Sequence, residues 1–587
     1  MSRWVVRSKR ADFDLIAKEL GVDKVVARIL VNRGLESLED MKLFLKPSLQ
    51  QQQCDPRLLE DMDKAVLLLK TAISEGKKIR VIGDYDVDGI MSTYILFTAI
   101  KNCGGTVDYA IPRRIEDGYG VNPDMVRAAH EAGVDFIITC DNGIAATEAV
   151  EAAKEMGMTV VVTDHHDIPF ELLGEEKVYI YPVADAIVNP KREGDAYPFK
   201  GICGAQVALK LVSVLYEECD FDKAKEQELV PFAAMACVCD IMELKGENRA
   251  LVTEGLEAMA DTCHPGLRAL ITATELRDKQ ITTHQLGFVL GPCLNATGRL
   301  DSAARALELL LESKQDKALG IAEELVELNE HRKDMTLKGF EAAVKTVEDE
   351  GLAYDTVLVL FLPELHESLA GIVAGRIKER YYRPTIVLTR SEKGVKGSAR
   401  SIEEYNMYEK LTEVNDIFTK YGGHPMAAGM SLPEEKVEEL RRRLNENANL
   451  TEDQLQETIR IDMALPLDYI SFELLEQLES LGPFGNGNPK PVFAIKDARI
   501  KSLSVMGREG KYLRLSVVTD CGQTMPGVIF SHTEAFKEAV DLRHGVGCCE
   551  AMMKRQIPEL AMDLVYTPKI NEYRGTKSLQ IVVDNSK

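Results

Sequence analysis

Strand-like and helix-like runs alternate through the first third of the chain. The β-branched run Lys78–Ile82 reads as a short buried strand, and the apolar stretch Ile90–Ile100 behind it reads as a helix. Val134–Thr139 and Thr159–Thr163 are two further strand-like runs, and Asn122–Ala132 and Ile144–Met156 carry helical periodicity around them. Such alternation predicts βαβ units and a parallel sheet. From Val188-Asn189-Pro190 to about residue 330 the pattern turns mostly helical, with one helix opening at Cys203–Val207 and another over Pro231–Leu244. The charged stretch Ser302–Asp349 has few breakers and predicts a long helix bridging two lobes. The second lobe holds the strands Thr356–Phe361 and Thr385–Thr389, with a helix starting at Ile372–Arg376 between them. Past a polar linker, Asn447–Glu457, short alternating strands run from about residue 459 and predict a small β-barrel. Residues 1–60 mix helical patterns with turns and carry no readable chemistry, and Trp4 reads as packing.

Composition sharpens this picture at three points. A chain of 587 residues exceeds one core and fits three or four domains. With 45% hydrophobic and 28% charged residues it is globular in type, and no apolar run approaches a membrane span. The segment Met1–Arg7 lacks the apolar core of a signal peptide, and the twelve cysteines are scattered with no Cys-x-x-Cys spacing. Reduced thiols and a cytoplasmic location are expected. The net charge of −23 argues weakly against nucleic acid, because a local basic groove decides phosphate contacts. Many of the acids, such as Glu323, Glu324 and Glu327, fall on amphipathic helices as solvated faces.

The candidate chemistry sits where the predicted strands end. Asp84-Tyr85-Asp86-Val87-Asp88-Gly89 follows the first, Asp141-Asn142-Gly143 the second, and Asp164-His165-His166-Asp167 the third. Carboxylates this close repel one another unless a cation or proton offsets them, and hard ions such as Mg²⁺ or Mn²⁺ suit oxygen ligands. The first motif also opens like a calcium-binding EF-hand loop, but Ile95 stands where that loop needs a bidentate glutamate, and a strand precedes it. An acidic surface turn is the plain alternative for any one cluster. Parallel strands bring all three clusters to one edge of the sheet, which favours a metal site. Asp240, in an otherwise apolar helical stretch, adds a carboxylate that is costly unless paired or ligated.

Asp-Tyr-Asp-Val-Asp-Gly, Asp-Asn-Gly and the Asp-His-His triplet resemble the first motifs of the DHH phosphoesterase superfamily. Ile111–Gly120 resembles the Arg-x-x-Gly-Tyr-Gly element of its RecJ branch, and Gly291–Asp301 its Pro-x-x-Asn-Ala-x-Gly-Arg element. Lys396–Ser401 and Gly422–Gly429 look like DHHA1-domain signatures, although Leu365-His366 stands where Trp-His is usual. Gly482–Pro491 and the strands after it resemble the RecJ OB domain, with Arg508, Lys511, Tyr512 and Arg514, and again Tyr573, Arg574 and Lys577, interleaving bases with aromatics.

The resemblance implies an α/β multidomain protein: a segment 1–60 packed on the catalytic domain, a DHH domain over 61–330, a connecting helix and DHHA1 domain over 331–446, and a linker and OB-fold over 447–587. It implies a 5′ to 3′ exonuclease specific for single-stranded DNA, acting with two Mn²⁺ or Mg²⁺ ions in DNA repair and recombination. Asp86, Asp88, Asp141, His165 and Asp240 would be metal ligands, with Asp84 behind them and Asp240, the acid followed by Gly246–Arg249, completing the shell. His166 would contact phosphate or act as an acid, with Asp141 the other catalytic residue, or would itself be a further metal ligand. Ile82 stands where relatives with pyrophosphatase activity place a metal-binding histidine, so one metal site would be weaker. Tyr119, Arg299, Ser398, Arg400, Gly423 and His424 would bind substrate, with Ser398–Arg400 as a loop holding a terminal phosphate. A phosphodiesterase for short oligonucleotides or cyclic dinucleotides, and a non-catalytic DNA-binding scaffold, are the alternatives. Single-strand-binding protein and a helicase are the expected partners, and a monomer is expected.

Overall fold

The structure is a computed structural model that describes residues 2–587 apart from 175, 392–393 and 508–510. It divides into two compact units, Ser48–Gln456 and a second formed by Met1–Pro47 together with Glu457–Lys587.

Ser48–Gln456 begins on a five-stranded sheet of β1 (Lys78–Ile82), β2 (Thr106–Ala110), β3 (Phe136–Cys140), β4 (Thr159–Thr163) and β5 (Ala186–Val188). The strands run parallel in the order β2-β1-β3-β4-β5. Val81, Ile138 and Val161 enter the core on one face, while Ile82, Ile137, Val160 and Val162 enter a second core on the other. Apolar runs with both faces covered are what a parallel sheet requires. The strand order changes direction between β1 and β3, and ligand crevices of open α/β sheets form at such a point, outside the carboxyl ends of the strands.

The helix α1 (Val87–Asn102) leaves β1 and packs with α2 (Gly204–Glu218) and α3 (Val230–Cys239). All three are apolar nearly all round, which fits helices buried inside a large core. A π-helical turn, Leu286–Leu290, leads into α4 (Gly291–Leu300). The 35-residue α5 (Gln315–Asp349) then runs about 50 Å, taking its length from the rise of 1.5 Å per residue. It packs on α4 at one end and on α6 (Ala370–Tyr381) of the second lobe further along, so the charged stretch does bridge two lobes. That lobe carries β6 (Leu358–Phe361), β7 (Thr385–Ser391), β8 (Gly394–Arg400), β9 (Lys420–His424) and β10 (Ala427–Leu432) in the order β9-β10-β8-β7-β6.

The other unit holds the barrel: β11 (Phe493–Met506), β12 (Tyr512–Val518), β13 (Thr524–Ile529), β14 (Leu560–Tyr573) and β15 (Thr576–Ser586). Pairing runs β11-β12-β13-β15-β14, and β14 returns to β11, which closes the ring and removes its free edges. Residues 2–47 depart from expectation. They form one unit with this barrel, where a segment packed on the catalytic domain was expected: Arg3–Val6 pairs in parallel with Thr458–Ile461, and Val26, Ile29, Leu30 and Phe44 share a core with Leu474, Phe493 and Leu515. Asn32 Nδ2 donates to the Asp462 carbonyl at 2.9 Å. Residues 48–60 lie in the other unit, where Leu49 joins the core of α1 to α3. Arg508, expected on the barrel's basic face, lies outside the described residues.

Candidate metal centre

β1, β3 and β4 each deliver acids where they end. After β1 the chain turns through Asp84-Tyr85-Asp86 into α1. Asp86 caps that helix, its Oδ1 accepting from the Gly89 N–H at 3.1 Å, and Asn295 Oδ1 on α4 accepts from the Val87 N–H at 3.2 Å. The turn is so tight that a Cβ on Gly89 would lie 2.4 Å from the Asp84 carbonyl oxygen, so glycine is required by close approach. Asp88 aims its carboxylate at the first turn of α2, where the Gly204 and Ala205 N–H groups each donate at 2.7 Å. A helix N-terminus favours that negative charge.

The end of β3 is laced to β1. Asn142 Nδ2 donates to the carbonyls of Ile82 and Cys140 at 3.1 and 2.9 Å, and its Oδ1 accepts from the Val121 N–H at 3.2 Å. Asp141, before it, takes a left-handed φ of 61° and is buried. At the end of β4, Asp164 accepts through Oδ1 from the N–H groups of His165 and His166 at 2.7 and 3.1 Å and from His166 Nδ1 at 2.8 Å. Its Oδ2 accepts from the Ile144 N–H at 3.0 Å. These bonds hold Asp164 down to about 2 although burial pushes it up, so it stays an anion that shapes the two-histidine turn.

Among the described residues three sets of ligand-type atoms fall within 4.8 Å of one another: Asp84, Asp86 and Asp141; Asp88, His165 and Asp240; and Asp141, His165 and His166. Asp141 and His165 are each shared by two sets, so the sets adjoin. All five residues expected as ligands lie in them, and Asp84 lies in one as well. His165 Nε2 is 3.1 Å from Asp141 Oδ1, 3.5 Å from Asp88 Oδ2 and 3.7 Å from Asp240 Oδ2, yet neither ring nitrogen meets a partner in hydrogen-bond geometry. Burial and the neighbouring His166 pull His165 down to about 3, leaving a neutral imidazole.

The carboxylates resist being charged together. Burial and Asp86 raise Asp88 to about 6, and burial, Asp88 and Asp86 raise Asp240 to about 8. Burial and Asp88 push Asp141 well up, and burial and Asp86 do the same to Asp84. Crowded carboxylates with a neutral imidazole whose nitrogens lack aligned partners form a donor set fitted to hard divalent cations such as Mg²⁺ or Mn²⁺. Asp167 stands apart, 2.9 Å from Lys191 Nζ. Glu247, in the Gly246–Arg249 motif that follows Asp240, sits in a buried network, 2.9 Å from Lys210 Nζ and accepting from Tyr197 Oη at 2.5 Å. The Ile82 side chain is fully buried in the core.

His166 is poised differently. Against the opposing pull of burial, its bond to Asp164 raises it to about 9. Tyr119 Oη lies 3.1 Å from His166 Nε2 and 3.3 Å from the Asp141 carbonyl. Tyr119, expected to stack on a base, makes a polar contact into the site.

Of the remaining candidates, Ser398 lines a space between the two lobes of Ser48–Gln456. A cavity of about 230 Å³ is lined by Tyr85, Arg114 and Tyr119 from the first lobe and by Ser368, Ser398 and Gly429 from the second. Arg299 lies on helix α4 and donates Nη1 to the Ser368 carbonyl at 2.9 Å, while burial and Arg114 lower it to about 10. Arg400 is lowered by burial and by the same Arg114, whose guanidinium sits 4.8 Å above the Tyr85 ring. Guanidinia that depress one another's protonation form a setting for an anion. Ser398 and Arg400 lie on strand β8, not on the expected loop. Gly423 and His424 end the edge strand β9, with His424 Nδ1 3.7 Å from Asp167 Oδ2. Sequence reasoning did not single out Asp164, Asn142 or Asn295 for their bonding roles. The only signal was their place beside residues read as ligands or in the same motif.

Comparison with known proteins agrees with this layout. The DHH family N-terminal domain matches residues 78–239, the DHHA1 domain residues 355–449, and the RecJ OB domain residues 461–585. The single-stranded-DNA-specific exonuclease RecJ of Bacillus subtilis is 34% identical, over 100% of this chain and 70% of its own length. That of Escherichia coli is 33% identical, over 96% of this chain and 95% of its own. Among solved structures, RecJ from Thermus thermophilus in complex with Mn²⁺ superposes with a TM-score of 0.81 at 26% identity, covering 100% of this chain and 79% of that one.

Proposed function

The chain belongs to the RecJ family of single-stranded-DNA-specific exonucleases, and on that footing we propose that Asp84, Asp86, Asp88, Asp141, His165 and Asp240 hold two divalent ions and that hydrolysis runs from the 5′ end. The enzyme is a metal-dependent exonuclease of single-stranded DNA. The reading of its site rests on one observation: three adjoining sets of ligand-type atoms joined through Asp141 and His165.

Bound there, divalent ions supply Lewis-acid polarisation of the phosphate and a water made nucleophilic at neutral pH. The chain's own residues do the rest. Asp164 accepts from His166 Nδ1, which leaves Nε2 to face a phosphate oxygen or to donate a proton to the leaving 3′ oxygen. Asn142 and Asn295 fix the turns that carry the acids. Arg299 and Arg400, with Ser398, receive the 5′ terminal phosphate, which carries more charge than an internal one. Cleavage would release mononucleotides. The barrel, with Tyr512 and Phe530 in edge contact and Lys569 5.1 Å above Phe530, offers stacking and charge to a single strand.

The proposal extends to work in DNA repair and recombination, in the cytoplasm, as a monomer beside single-strand-binding protein and a helicase. No helix among the described residues is long and apolar enough to cross a membrane. The test is an assay in Mn²⁺ on single-stranded, duplex and dinucleotide substrates of matched sequence. Release of mononucleotides from the single strand alone supports the reading, and preference for the dinucleotide contradicts it.

A further inference from the structure

Two irregular backbone segments meet beside Asp240, and each holds a large apolar side chain out in solvent. The first is Ile241, peptide-bonded to Asp240, with a φ of 57°. A β-branched residue in the left-handed region is a genuine outlier, since its branched Cβ crowds the backbone there. The conformation closes α3, with the Ile241 N–H donating to the Val238 carbonyl at 3.2 Å and the Met242 N–H to the Cys237 carbonyl at 3.1 Å, but such a cap usually takes glycine, and here it holds an isoleucine 70% exposed. The cap accounts for the backbone; the choice of a branched apolar side chain at an exposed position that favours glycine is what it leaves open.

The second is the π-helical turn Leu286–Leu290. Its ends, Leu286 and Leu290, are buried, while Phe288 is 69% exposed and His284 stacks on it with ring centroids 4.8 Å apart and planes 26° apart. π-turns inside helices recur at functional sites. This one lies directly against the last turn of α3 before Asp240. Cys239 Sγ reaches the Leu286 carbonyl at 3.6 Å, and a Cβ on Gly287 would stand 3.8 Å from Val238 Cγ1. The turn also feeds α4, which carries Asn295 and Arg299.

We propose that Ile241 and the His284–Phe288 stack form an apolar platform for the nucleobase of the single strand next to the scissile phosphate. This rests on the exonuclease reading, since it places the base beside the ligand set that contains Asp240. The occupant follows from continuity with that set: a strand whose phosphate lies at Asp240 carries its base within reach of the next residue. A stacked base is held through its π-face, which every base has, so such a platform gains affinity without reading sequence. An apolar side chain also needs no partner that a particular base might lack.

The test is a comparison of base-bearing and abasic strands. The substrates are a single-stranded oligonucleotide and the same strand with tetrahydrofuran abasic residues at its first three 5′ positions. Ile241→Gly removes the side chain and relieves the backbone, since glycine accepts the left-handed region, so its melting temperature should equal or exceed that of the wild type. Phe288→Ala removes an exposed ring. Each variant should lose about tenfold in kcat/KM on the base-bearing strand, with KM taking most of the change, and less than about twofold on the abasic strand, the span expected for one stacked base. A loss of equal size on both strands by a folded, metal-binding variant would overturn the platform while leaving the nuclease reading intact. Failure of the wild type to cut the base-bearing strand in Mn²⁺ would overturn the nuclease reading and the platform with it.

Discussion

At the scale of single residues, the site is a set of charges arranged so that no protein group can neutralise them all. Asp88 and Asp240, held up to about 6 and about 8 by burial and neighbouring carboxylates, carry the sign of the pH dependence. Their folded pKa values lie above the ordinary carboxylate value, so the folded chain holds protons that the unfolded chain has already lost. The metal-free protein should therefore lose stability as pH rises from about 4 to about 8, and Mn²⁺ should restore it, most of all at the upper end. Melting curves with EDTA or Mn²⁺ at pH 6 and pH 8 would check this, and a metal-independent curve would refute it. Asp164 acts through the histidines. Asp164→Asn should lower Mn²⁺ affinity about 10- to 100-fold, the usual cost of losing an outer hydrogen-bond partner, read by calorimetric titration. The clustered acids were legible from their spacing after strand-like runs, and Asp240 from its place in an apolar helical stretch. Asp164 was not legible as a clamp, because its role depends on which N–H groups a turn exposes, and a turn's geometry leaves little trace in residue types.

At the scale of elements, the same strands that were readable as apolar runs also explain the site, since parallel strands end on one edge. What the sequence concealed were close approaches between elements. Gly397 made Ser398–Arg400 look like a loop, yet it sits in β8 because a Cβ there would meet Leu388 Cδ2 at 2.4 Å. Gly204, at the start of α2, is similar: a Cβ would stand 2.6 Å from the Asp141 Cβ. Gly204→Ala should push Asp141 out of place, destabilising the fold by about 1–3 kcal/mol and reducing turnover together. Thermal melting and a single-strand assay on the same preparation would separate this from a change confined to stability. Arg400, on β8 and not on a flexible loop, is held where it can point a rigid fork at phosphate. Arg400→Ala should weaken capture of 5′-phosphorylated strands far more than of 5′-hydroxyl strands, and Arg400→Lys should recover only part. Equal losses on the two ends would remove the end-reading role from this strand.

At the scale of the whole molecule, the domain series was readable but the partner of the N-terminal residues was not. Val26, Ile29 and Leu30 give an amphipathic helix whose apolar face could seat on any core, and the barrel that takes it lies more than four hundred residues away in the chain. The natural boundary for separating catalysis from strand binding is therefore 48–456, since cutting only the barrel would expose those helices. The trimmed chain should keep residual hydrolysis of short strands and bind long strands much more weakly, with a shallower salt dependence, as measured by fluorescence anisotropy.

The central claim is that the acid cluster, loaded with divalent ions, cuts single-stranded DNA from its 5′ end. The most direct measurement follows single strands labelled at either end in Mn²⁺, with the wild type and with Asp141→Ala, whose carboxylate two adjoining sets share. The account predicts early release of a 5′-labelled mononucleotide by the wild type, retention of a 3′ label until late, and at least about a hundredfold slower release by the variant, with strand binding largely kept. Near-normal turnover by Asp141→Ala in metal-controlled buffer, or early loss of the 3′ label, would contradict it.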